Sequence, residues 1–259
     1  MTNHTPAARA ARIETRLREI SRPERAAQEQ RYLKSDLDFL GATVWQIRAV
    51  VKAHVAELPS LDHDELIALV EALWAEPIHE RRMAATVLLE MRNGWLTAAD
   101  LPLLERLIRA SLTWALVDGL AGDVVGDILA ADGAGTQPVL DRWARADDFW
   151  VRRSALLAWL RPLRAGAPLD RFLGYADRML DEREFFIRKA IGWVLREVSK
   201  KRPNLTYAFL SKHRDRVSRL SLTEGAKYLP APKRTSLGLP AEAAWAVREA
   251  RRKPKSARR

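Results

Sequence analysis

Two tryptophans in this sequence stand four residues from a charged side chain, a spacing that could support chemistry on a charged ligand. Trp114 is followed by Asp118, and Lys189 is followed by Trp193, so on a helix each pair would share one face. A third tryptophan lies three residues before Arg153. Indole faces attract cations, a carboxylate stabilises positive charge, and arginine binds phosphate. If the fold brought these residues together, the cleft would suit a flat cationic or electron-poor group attached to a phosphate backbone.

Other site chemistries lack the residues that they need. The chain has no cysteine, which excludes disulfides, thiolate nucleophiles and cysteine-ligated metal centres. Its five histidines show no HExxH or other paired metal spacing, and the sequence has no dinucleotide-binding glycine fingerprint, no P-loop and no GxSxG motif. Gly119, Gly122 and Gly126 surround Asp123, and we expect them to permit close helix packing rather than to bind phosphate. We therefore expect neither a metal nor a cofactor.

The elements that must position these residues are helices. Apolar side chains recur three and four residues apart almost everywhere, as at Leu66, Leu69 and Leu73. No segment shows the alternation expected of a half-buried strand. The segment 97–100 resembles a capping box, and Pro203 suits the first turn of a helix. The periodicity therefore predicts an all-α protein of about a dozen short helices.

A sequence repeat organises these helices. Three helical segments share a basic pair near their start: HERRMAATVLLEM (79–91), WVRRSALLAWL (150–160) and FIRKAIGWVL (186–195). The second basic residue of each pair falls at Arg82, Arg153 and Lys189, and the gap of 71 residues between the first two leaves room for a unit centred on Asp118. The register positions then lie 36, 35 and 36 residues apart, with a weaker fifth unit 35 residues later at Glu224.

A period in the mid-thirties with two helices per unit predicts an α-solenoid of HEAT-like antiparallel helix pairs, over residues 1–235. Equivalent positions of successive helices would line a concave face, so Asp118, Arg153 and Lys189 should form a row. Such a charged row can also serve only to bridge adjacent repeats, and the sequence leaves that alternative open. Most tryptophans are expected to pack in the core, including Trp74, Trp143 and Trp159.

The positive charge of the chain lies at its C-terminal end. Residues 1–195 carry a net charge of −2, and residues 196–259 carry +13. We expect residues 236–259 to form a basic, partly disordered extension, whose last segment 248–259 is either a solvated terminus or a phosphate-binding arm. No charge-free run approaches the roughly 20 residues of a membrane helix. The N-terminal segment lacks the apolar run of a secretory signal, so a cytoplasmic protein is expected.

Four segments of the sequence also resemble one known protein family. They are RYLKSDLDFLG (31–41), SLTWALVDGLAGDVVGDIL (111–129), DDFWVRRSALLAWL (147–160) and EFFIRKAIGWVLREVSK (184–200). Over residues 25–230 the sequence resembles the AlkD-like HEAT-repeat DNA glycosylases of bacterial DNA alkylation repair, with the segments in the same order. The resemblance implies removal of N3- and N7-alkylated purines from duplex DNA without base flipping, with the DNA held along the concave face.

The resemblance also implies roles for individual residues. Trp114 and Asp118 match the family's active-site tryptophan and aspartate, Arg153 matches its arginine, and Trp193 matches its second tryptophan, so these four are the expected catalytic residues. The expected DNA-binding residues are aromatic side chains and basic residues at helix starts: Tyr32, Phe185, Phe186, Arg152, Arg188 and Lys189. Thr113 departs from the family pattern, which has a second tryptophan at that position.

The chemistry of the lesion agrees with this small set of residues. A purine alkylated at N3 or N7 is already cationic, so it can leave without protonation by a general acid. Asp118 would stabilise the oxocarbenium-like sugar and place a water. Trp114 and Trp193 would contact the deoxyribose, and Arg153 would hold an adjacent phosphate. We expect a nucleoid-associated monomer that acts on double-stranded DNA containing alkylated purines.

Two other functions stay open from the sequence. One is a non-catalytic relative that binds branched or distorted DNA, and the other is a HEAT-type scaffold for protein interactions. Release of free alkylated base would distinguish a glycosylase from both alternatives. Salt-dependent duplex binding would distinguish the DNA-binding relative from the protein scaffold.

Overall fold

The computed structural model describes residues 5–57 and 61–242. Over these residues the secondary structure is helical apart from an isolated bridge between Asp38 and Ile78, and the predicted all-α fold is confirmed. None of the described helices is long and apolar enough to cross a membrane. The basic segment 248–259 lies outside the described residues, and the predicted domain boundary after residue 235 stays a prediction.

The helices form two compact units, one ending at Arg161 and one beginning at Pro162. The α-helices are α1 (Pro6–Glu19), α2 (Pro23–Leu33), α3 (Val44–Ala56), α4 (His63–Trp74), α5 (His79–Met91), α6 (Leu101–Arg109), α7 (Trp114–Gly119), α8 (Gly126–Ala131), α9 (Gly133–Trp143), α10 (Phe149–Leu157), α11 (Leu160–Arg164), α12 (Asp170–Arg178), α13 (Phe185–Ser199), α14 (Pro203–Lys212), α15 (Arg219–Gly225) and α16 (Ala231–Ser236). A π-helical segment, Leu120–Val125, joins α7 to α8 without a break.

Polar pairs about one repeat apart link the helices within each unit. In the first unit they include Glu71–Arg106, Glu105–Arg142, Asp118–Arg153 and Asp127–Arg161, separated by 35, 37, 35 and 34 residues. In the second unit they include Asp181–Arg216 and Lys189–Glu224, each separated by 35 residues. Because each pair joins corresponding positions of successive repeats, the predicted period is confirmed within each unit.

Helix α5 is almost entirely enclosed by the first unit. Every residue from His79 to Leu89 is buried, and the helix packs against α3, α4 and α7. A helix that is buried all round needs apolar or small residues on every face, which the segment from Met83 onwards provides. The polar residues at its start must therefore find partners inside the protein.

The helix that carries Asp118 passes close to its neighbours through its glycines. A Cβ atom added at Gly119 would lie 2.9 Å from Cγ2 of Thr86, and one added at Gly126 would lie 3.1 Å from the carbonyl oxygen of Ala158. Both distances are shorter than ordinary van der Waals contact, so neither position has room for a side chain. The packing role predicted for the glycines is confirmed at Gly119 and Gly126, whereas a Cβ at Gly122 would lie 3.5 Å from Cδ1 of Leu160, an ordinary contact.

Local signals in the sequence also hold. Trp74, Trp143 and Trp159 are buried as predicted, and Nε1 of Trp143 donates to Glu105 at 2.7 Å. The capping box at residues 97–100 is present, although it starts a short 3₁₀ turn ahead of α6 rather than an α-helix. Pro203 is the first residue of α14.

Candidate functional site around Asp118

Asp118 and Arg153 form a bidentate ion pair in the first unit. Nε of Arg153 donates to one carboxylate oxygen at 2.8 Å, and Nη2 donates to the other at 3.0 Å. The side chain of Arg153 is 3% exposed and that of Asp118 is 16% exposed. The two residues lie on α10 and α7, one repeat apart, so this pair also bridges two repeats. The contact expected of a bridging pair is therefore present, and a further role of Asp118 at a ligand stays a prediction.

Two opposing effects act on the Asp118 carboxyl group. Burial raises its pKa because the charged form loses contact with water, and the guanidinium of Arg153 opposes this rise without cancelling it, so the pKa stays above its usual value. Both carboxylate oxygens accept an N–H from Arg153, which is the arrangement that an ionised carboxylate adopts with a guanidinium. The geometry is therefore that of a charged carboxylate held by a fixed cation.

Trp114, which shares a helix with Asp118, forms an aromatic pair with Tyr32. Trp114 begins α7, one helical turn before Asp118, and is half-buried. The ring of Tyr32 meets the Trp114 ring edge-on, with ring centroids 5.8 Å apart and an interplanar angle of 84°. Tyr32 is 71% exposed. Most of the Tyr32 ring therefore makes no packing contact within the protein, and a ring face is available to a ligand.

The loop after Tyr32 is held by a buried carboxylate, Glu80. Its two oxygens accept the backbone N–H groups of Leu40, Gly41 and Ala42 at 2.9, 2.6 and 3.2 Å. Burial raises the pKa of Glu80, and the three N–H groups lower it. These bonds tie the connection between α2 and α3 to the start of α5, and so restrain the helix that carries Tyr32.

Sequence reasoning missed Glu80. Its partners lie 38–40 residues earlier in the chain and are backbone groups, which leave no pattern in the side chains. A partial signal was present, because Glu80 lies at the start of a segment with no exposed face, where a carboxylate needs an internal partner.

Thr113 and Leu112 precede Trp114 and have opposite environments. Thr113 is buried, and its hydroxyl accepts the backbone N–H of Ala115 at 3.4 Å as the N-cap of α7. The position at which the family has its second tryptophan is therefore occupied here by a buried helix cap, not by an exposed side chain. Leu112 is 48% exposed and has a φ of 56°, in the left-handed region.

Arg82 anchors the turn that leads to Trp114. Its Nη1 donates to the carbonyl of Ala110 at 2.6 Å, and its Nε donates to the carbonyl of Glu76 at 3.3 Å. The guanidinium also lies over the ring of Trp74, 5.5 Å from the centroid. Burial lowers the pKa of Arg82. The first register residue of the repeat thus binds a neighbouring repeat through a backbone carbonyl.

Arg152 and Arg188 hold the turns that precede their own helices. Nη1 of Arg152 donates to the carbonyls of Ala146 and Asp147, both at 2.7 Å, and Nε of Arg188 donates to the carbonyl of Glu182 at 2.7 Å. Each arginine reaches back six residues to its carbonyl. Their place at equivalent helix starts is therefore explained within the fold, and DNA contact by either arginine stays a prediction.

The second unit carries the remaining predicted residues on α13. Lys189 donates to Glu224 at 2.7 Å, the counterpart of the Arg153–Asp118 pair, so it too bridges two repeats. Phe185 is 55% exposed and meets Phe186 edge-on, with ring centroids 5.3 Å apart. Trp193 is half-buried one helical turn after Lys189.

The first unit therefore brings together four of the predicted residues: Tyr32, Trp114, Asp118 and Arg153. No group of three His, Asp or Glu side chains that could hold a metal ion occurs in residues 5–57 and 61–242. What the cluster can offer a ligand is one charged carboxylate, two aromatic rings and a fixed cation behind the carboxylate.

Comparisons with known proteins identify the family of the chain and support its fold. Residues 13–229 match the model of the family described as DNA alkylation repair enzyme. A structure described as a predicted DNA alkylation repair enzyme from Enterococcus faecalis has a TM-score of 0.74 at 25% identity, covering 81% of this chain and 96% of the other. AlkD2 from Streptococcus mutans has a TM-score of 0.62 at 14% identity, covering 87% and 99%. No curated protein matches the chain.

Proposed function

Because the chain belongs to the DNA alkylation repair enzyme family, we propose that it is a DNA glycosylase. Its substrate would be the N-glycosidic bond of cationic N3- or N7-alkylated purines in duplex DNA. The observation that carries this proposal is the partly buried carboxylate of Asp118, paired with Arg153 and placed one helical turn from Trp114.

The leaving group makes a single carboxylate sufficient. An N3- or N7-alkylated purine departs as a neutral base, so no general acid has to protonate it. The electron-deficient centre that develops is the deoxyribose, whose oxocarbenium character a preorganised negative charge stabilises. Asp118 supplies that charge, and the same carboxylate can orient the water that adds to the sugar.

The aromatic rings supply the contact surface around the sugar. Indole and phenol faces attract the positive charge that develops there and exclude water without adding a competing anion. Trp114 and Tyr32 meet edge-on and so offer two differently oriented faces. For Trp193 and the Phe185–Phe186 pair, a role at the DNA rests on the family resemblance alone.

The contacts of Arg153 favour a role in positioning the Asp118 carboxylate. The resemblance implies a phosphate contact, but the side chain is almost fully buried and directs two N–H groups to Asp118. A guanidinium so placed fixes the carboxylate and keeps it ionised. Phosphate binding by Arg153 stays a prediction, as do DNA contacts by Arg152, Arg188 and Lys189. A protein that acts on chromosomal DNA would work at the nucleoid, so that localisation belongs to the proposal.

Base release tests the proposal directly. The full chain is incubated with duplex DNA methylated at guanine N7 or adenine N3, and the free base is measured against a parallel sample without protein. The subtraction is essential because cationic purines also depurinate unaided. We expect release well above that background. Tight binding to branched DNA without any release would instead favour a non-catalytic DNA-binding protein.

A further inference from the structure

The two left-handed residues other than glycine each lie two residues along the chain from one ring of the Tyr32–Trp114 contact. In residues 5–57 and 61–242, positive φ values outside glycine occur at Lys34 (50°) and Leu112 (56°). Lys34 follows Tyr32 by two residues, and Leu112 precedes Trp114 by two. A left-handed conformation is strained for any side chain with a Cβ, and such strain collects at functional sites.

Helix termination accounts for Lys34 but not for Leu112. Lys34 is the C-cap of α2, and its N–H donates to the carbonyl of Gln30, a usual place for a left-handed residue. Leu112 lies two residues beyond Ala110, the C-cap of α6. A glycine or asparagine would adopt this φ at lower energy, so we look for a favourable contact of the leucine side chain that compensates for the strain.

Core packing does not fully supply that contact, because Leu112 is 48% exposed while both of its neighbours in the chain are buried. Ser111 donates its hydroxyl to the carbonyl of Leu107 at 2.9 Å, and Thr113 caps α7. Arg82 fixes the carbonyl of Ala110. The turn is thus held on both sides of Leu112, and the one apolar side chain between these anchors projects to solvent.

The position of Leu112 limits what it can contact. Two residues span at most about 7 Å between Cα atoms, so its Cα lies that close to the Cα of Trp114. An exposed leucine two residues before Trp114, on the connection that leads into the helix of Asp118, suits the apolar surfaces of a duplex, which are the deoxyribose carbons and the groove edges of the bases.

We infer that Leu112 contacts the DNA next to the lesion, as an apolar wedge that the strained turn presents beside Trp114. The inference rests on the proposed function, since it takes the occupant of this surface to be duplex DNA. On this inference the exposed leucine side chain contributes to the free energy of DNA binding, and this contribution explains why a strained leucine occupies the turn. Leu112 would act through contact with sugar and base surfaces and would take no part in the chemical step.

A cysteine footprint tests this contact without relying on catalysis. The chain has no cysteine, so Leu112→Cys introduces a unique thiol. Its rate of reaction with a maleimide is measured with and without an unmodified duplex oligonucleotide. Leu205→Cys is the matched control, because Leu205 is 49% exposed and lies on α14. We expect the duplex to slow modification at least fivefold for Leu112→Cys and to leave the rate for Leu205→Cys unchanged.

A second pair of variants separates contact from strain. Leu112→Ala keeps the Cβ and removes the wedge, so duplex binding should weaken by roughly five- to tenfold, while Leu205→Ala should bind as the wild type does. Leu112→Gly should weaken binding equally and raise the melting temperature, because the strain is relieved.

The outcomes are distinguishable from those of the proposed function. Duplex binding by the wild type with an unprotected thiol at position 112 and full affinity of Leu112→Ala would overturn the inference and leave the glycosylase proposal intact. Protection of the thiol, with no base release by the wild type, would support the contact and overturn the glycosylase proposal.

Discussion

Asp118 and Arg153 each limit what the other can do. With two N–H groups on the carboxylate and its own side chain buried, Arg153 fixes the orientation of Asp118 and favours its ionised form. Burial acts in the opposite direction, because it raises the pKa of Asp118. The carboxylate is therefore held charged in a weakly screened place, where its effect on a neighbouring cation is stronger than in water.

Replacing the carboxylate by an amide should separate catalysis from binding. Asp118→Asn keeps the size of the side chain and removes its charge, so base excision should fall by about 10²–10³-fold, or roughly 2.7–4 kcal/mol in activation free energy. Duplex affinity should change little. The measurement is the release of N7-methylguanine, corrected for the rate without protein.

Glu224→Gln provides the matched control for this variant. It removes the carboxylate of the equivalent pair, with Lys189 in the second unit, and should keep wild-type excision. Melting temperatures of both variants show whether either has lost its fold. Equal activity of Asp118→Asn and the wild type would remove the carboxylate from the mechanism.

Arg153→Lys should change the pH dependence of excision. Lysine keeps the positive charge but cannot donate two parallel N–H groups, so it stabilises the ionised Asp118 less well. The pKa of Asp118, already raised by burial, should rise further. Because protonated Asp118 is inactive in this mechanism, the variant should lose activity at a higher pH than the wild type as the solution is acidified.

The pH profile of kcat/KM measures this shift. If Arg153 served only to hold a phosphate, the variant would bind DNA more weakly at every pH, and the acidic limb would stay where it is in the wild type. That result would reject the positioning role.

The identity of the site residues was more predictable than their contacts. Trp114 and Asp118 are four residues apart, so helical spacing alone placed them on one face. The Arg153 pairing spans 35 residues and the Tyr32–Trp114 contact spans 82, so both depend on how the repeats stack. The left-handed φ of Leu112 had no signal in the sequence either, because leucine is a residue that ordinarily avoids it.

Helices α13 and α15 cross closely at Gly192. A Cβ atom there would lie 2.7 Å from Cβ of Glu224 and 3.1 Å from the backbone of Ser221. The approach brings Glu224 within reach of Lys189 on the same face of α13. The AIGW segment, which the resemblance connects with the DNA site, therefore also contains the glycine at which α13 packs against α15.

Alanine at two glycines of the second unit should have opposite effects on stability. Gly192→Ala has to displace a helix backbone and should lower the free energy of unfolding by about 1–3 kcal/mol. Gly174→Ala lies on α12 with no atom within 4 Å of the added Cβ. It should raise the free energy of unfolding by about 0.5–1 kcal/mol, because alanine loses less backbone entropy on folding.

Urea unfolding of the two variants beside the wild type measures both changes. Destabilisation by Gly174→Ala, or none by Gly192→Ala, would show that the glycines are not distinguished by the space around them. Excision by Gly174→Ala should equal that of the wild type, which makes it a convenient control for activity as well.

Helix limits were predictable where the pattern was local. The predicted segment 79–91 coincides with α5. The segment 150–160 does not form one helix, because α10 ends at Leu157 and α11 begins at Leu160. Pro162 explains part of this difference, since proline fits the first turn of a new helix and disfavours continuation of the old one. The π-helical segment after α7 was not predicted, as hydrophobic periodicity does not distinguish it from α-helix.

The charge of the whole chain is divided between a neutral part and a basic part. Residues 1–195 are close to electroneutral, and the excess of +13 follows them. Phosphate binding by the basic part would add affinity for any duplex and little sequence preference, because backbone contacts do not read bases. Lesion recognition and general DNA affinity would then reside in different stretches of sequence.

Deleting residues 248–259 should reduce the salt dependence of duplex binding without abolishing excision. Each phosphate contact that is lost should lower the slope of log affinity against log salt by about 0.9. The measurement is a titration of a fluorescent duplex at several salt concentrations, with the full chain as reference. An unchanged slope would identify this segment as a solvated terminus.

The repeat period was predictable because three basic pairs recur at equivalent helix starts. The division into two compact units at residues 161 and 162 had no such signal, since the register spacing across it, 36 residues from Arg153 to Lys189, is within one residue of the others. Periodicity reports which helices are equivalent, whereas compactness depends on how many side chains each interface buries.

The order of charged residues along the register also bears on how such a gene can evolve. The side chain of Arg153 is 3% exposed, and Asp118 one repeat earlier supplies a counter-charge for it. An in-register duplication of the unit that contains Arg153 would bury a second guanidinium with another arginine, not an aspartate, at the preceding position. A buried cation without a counter-charge costs several kcal/mol. The chain therefore carries a barrier to gaining repeats here, and lineages of this protein should conserve repeat number more strictly than sequence.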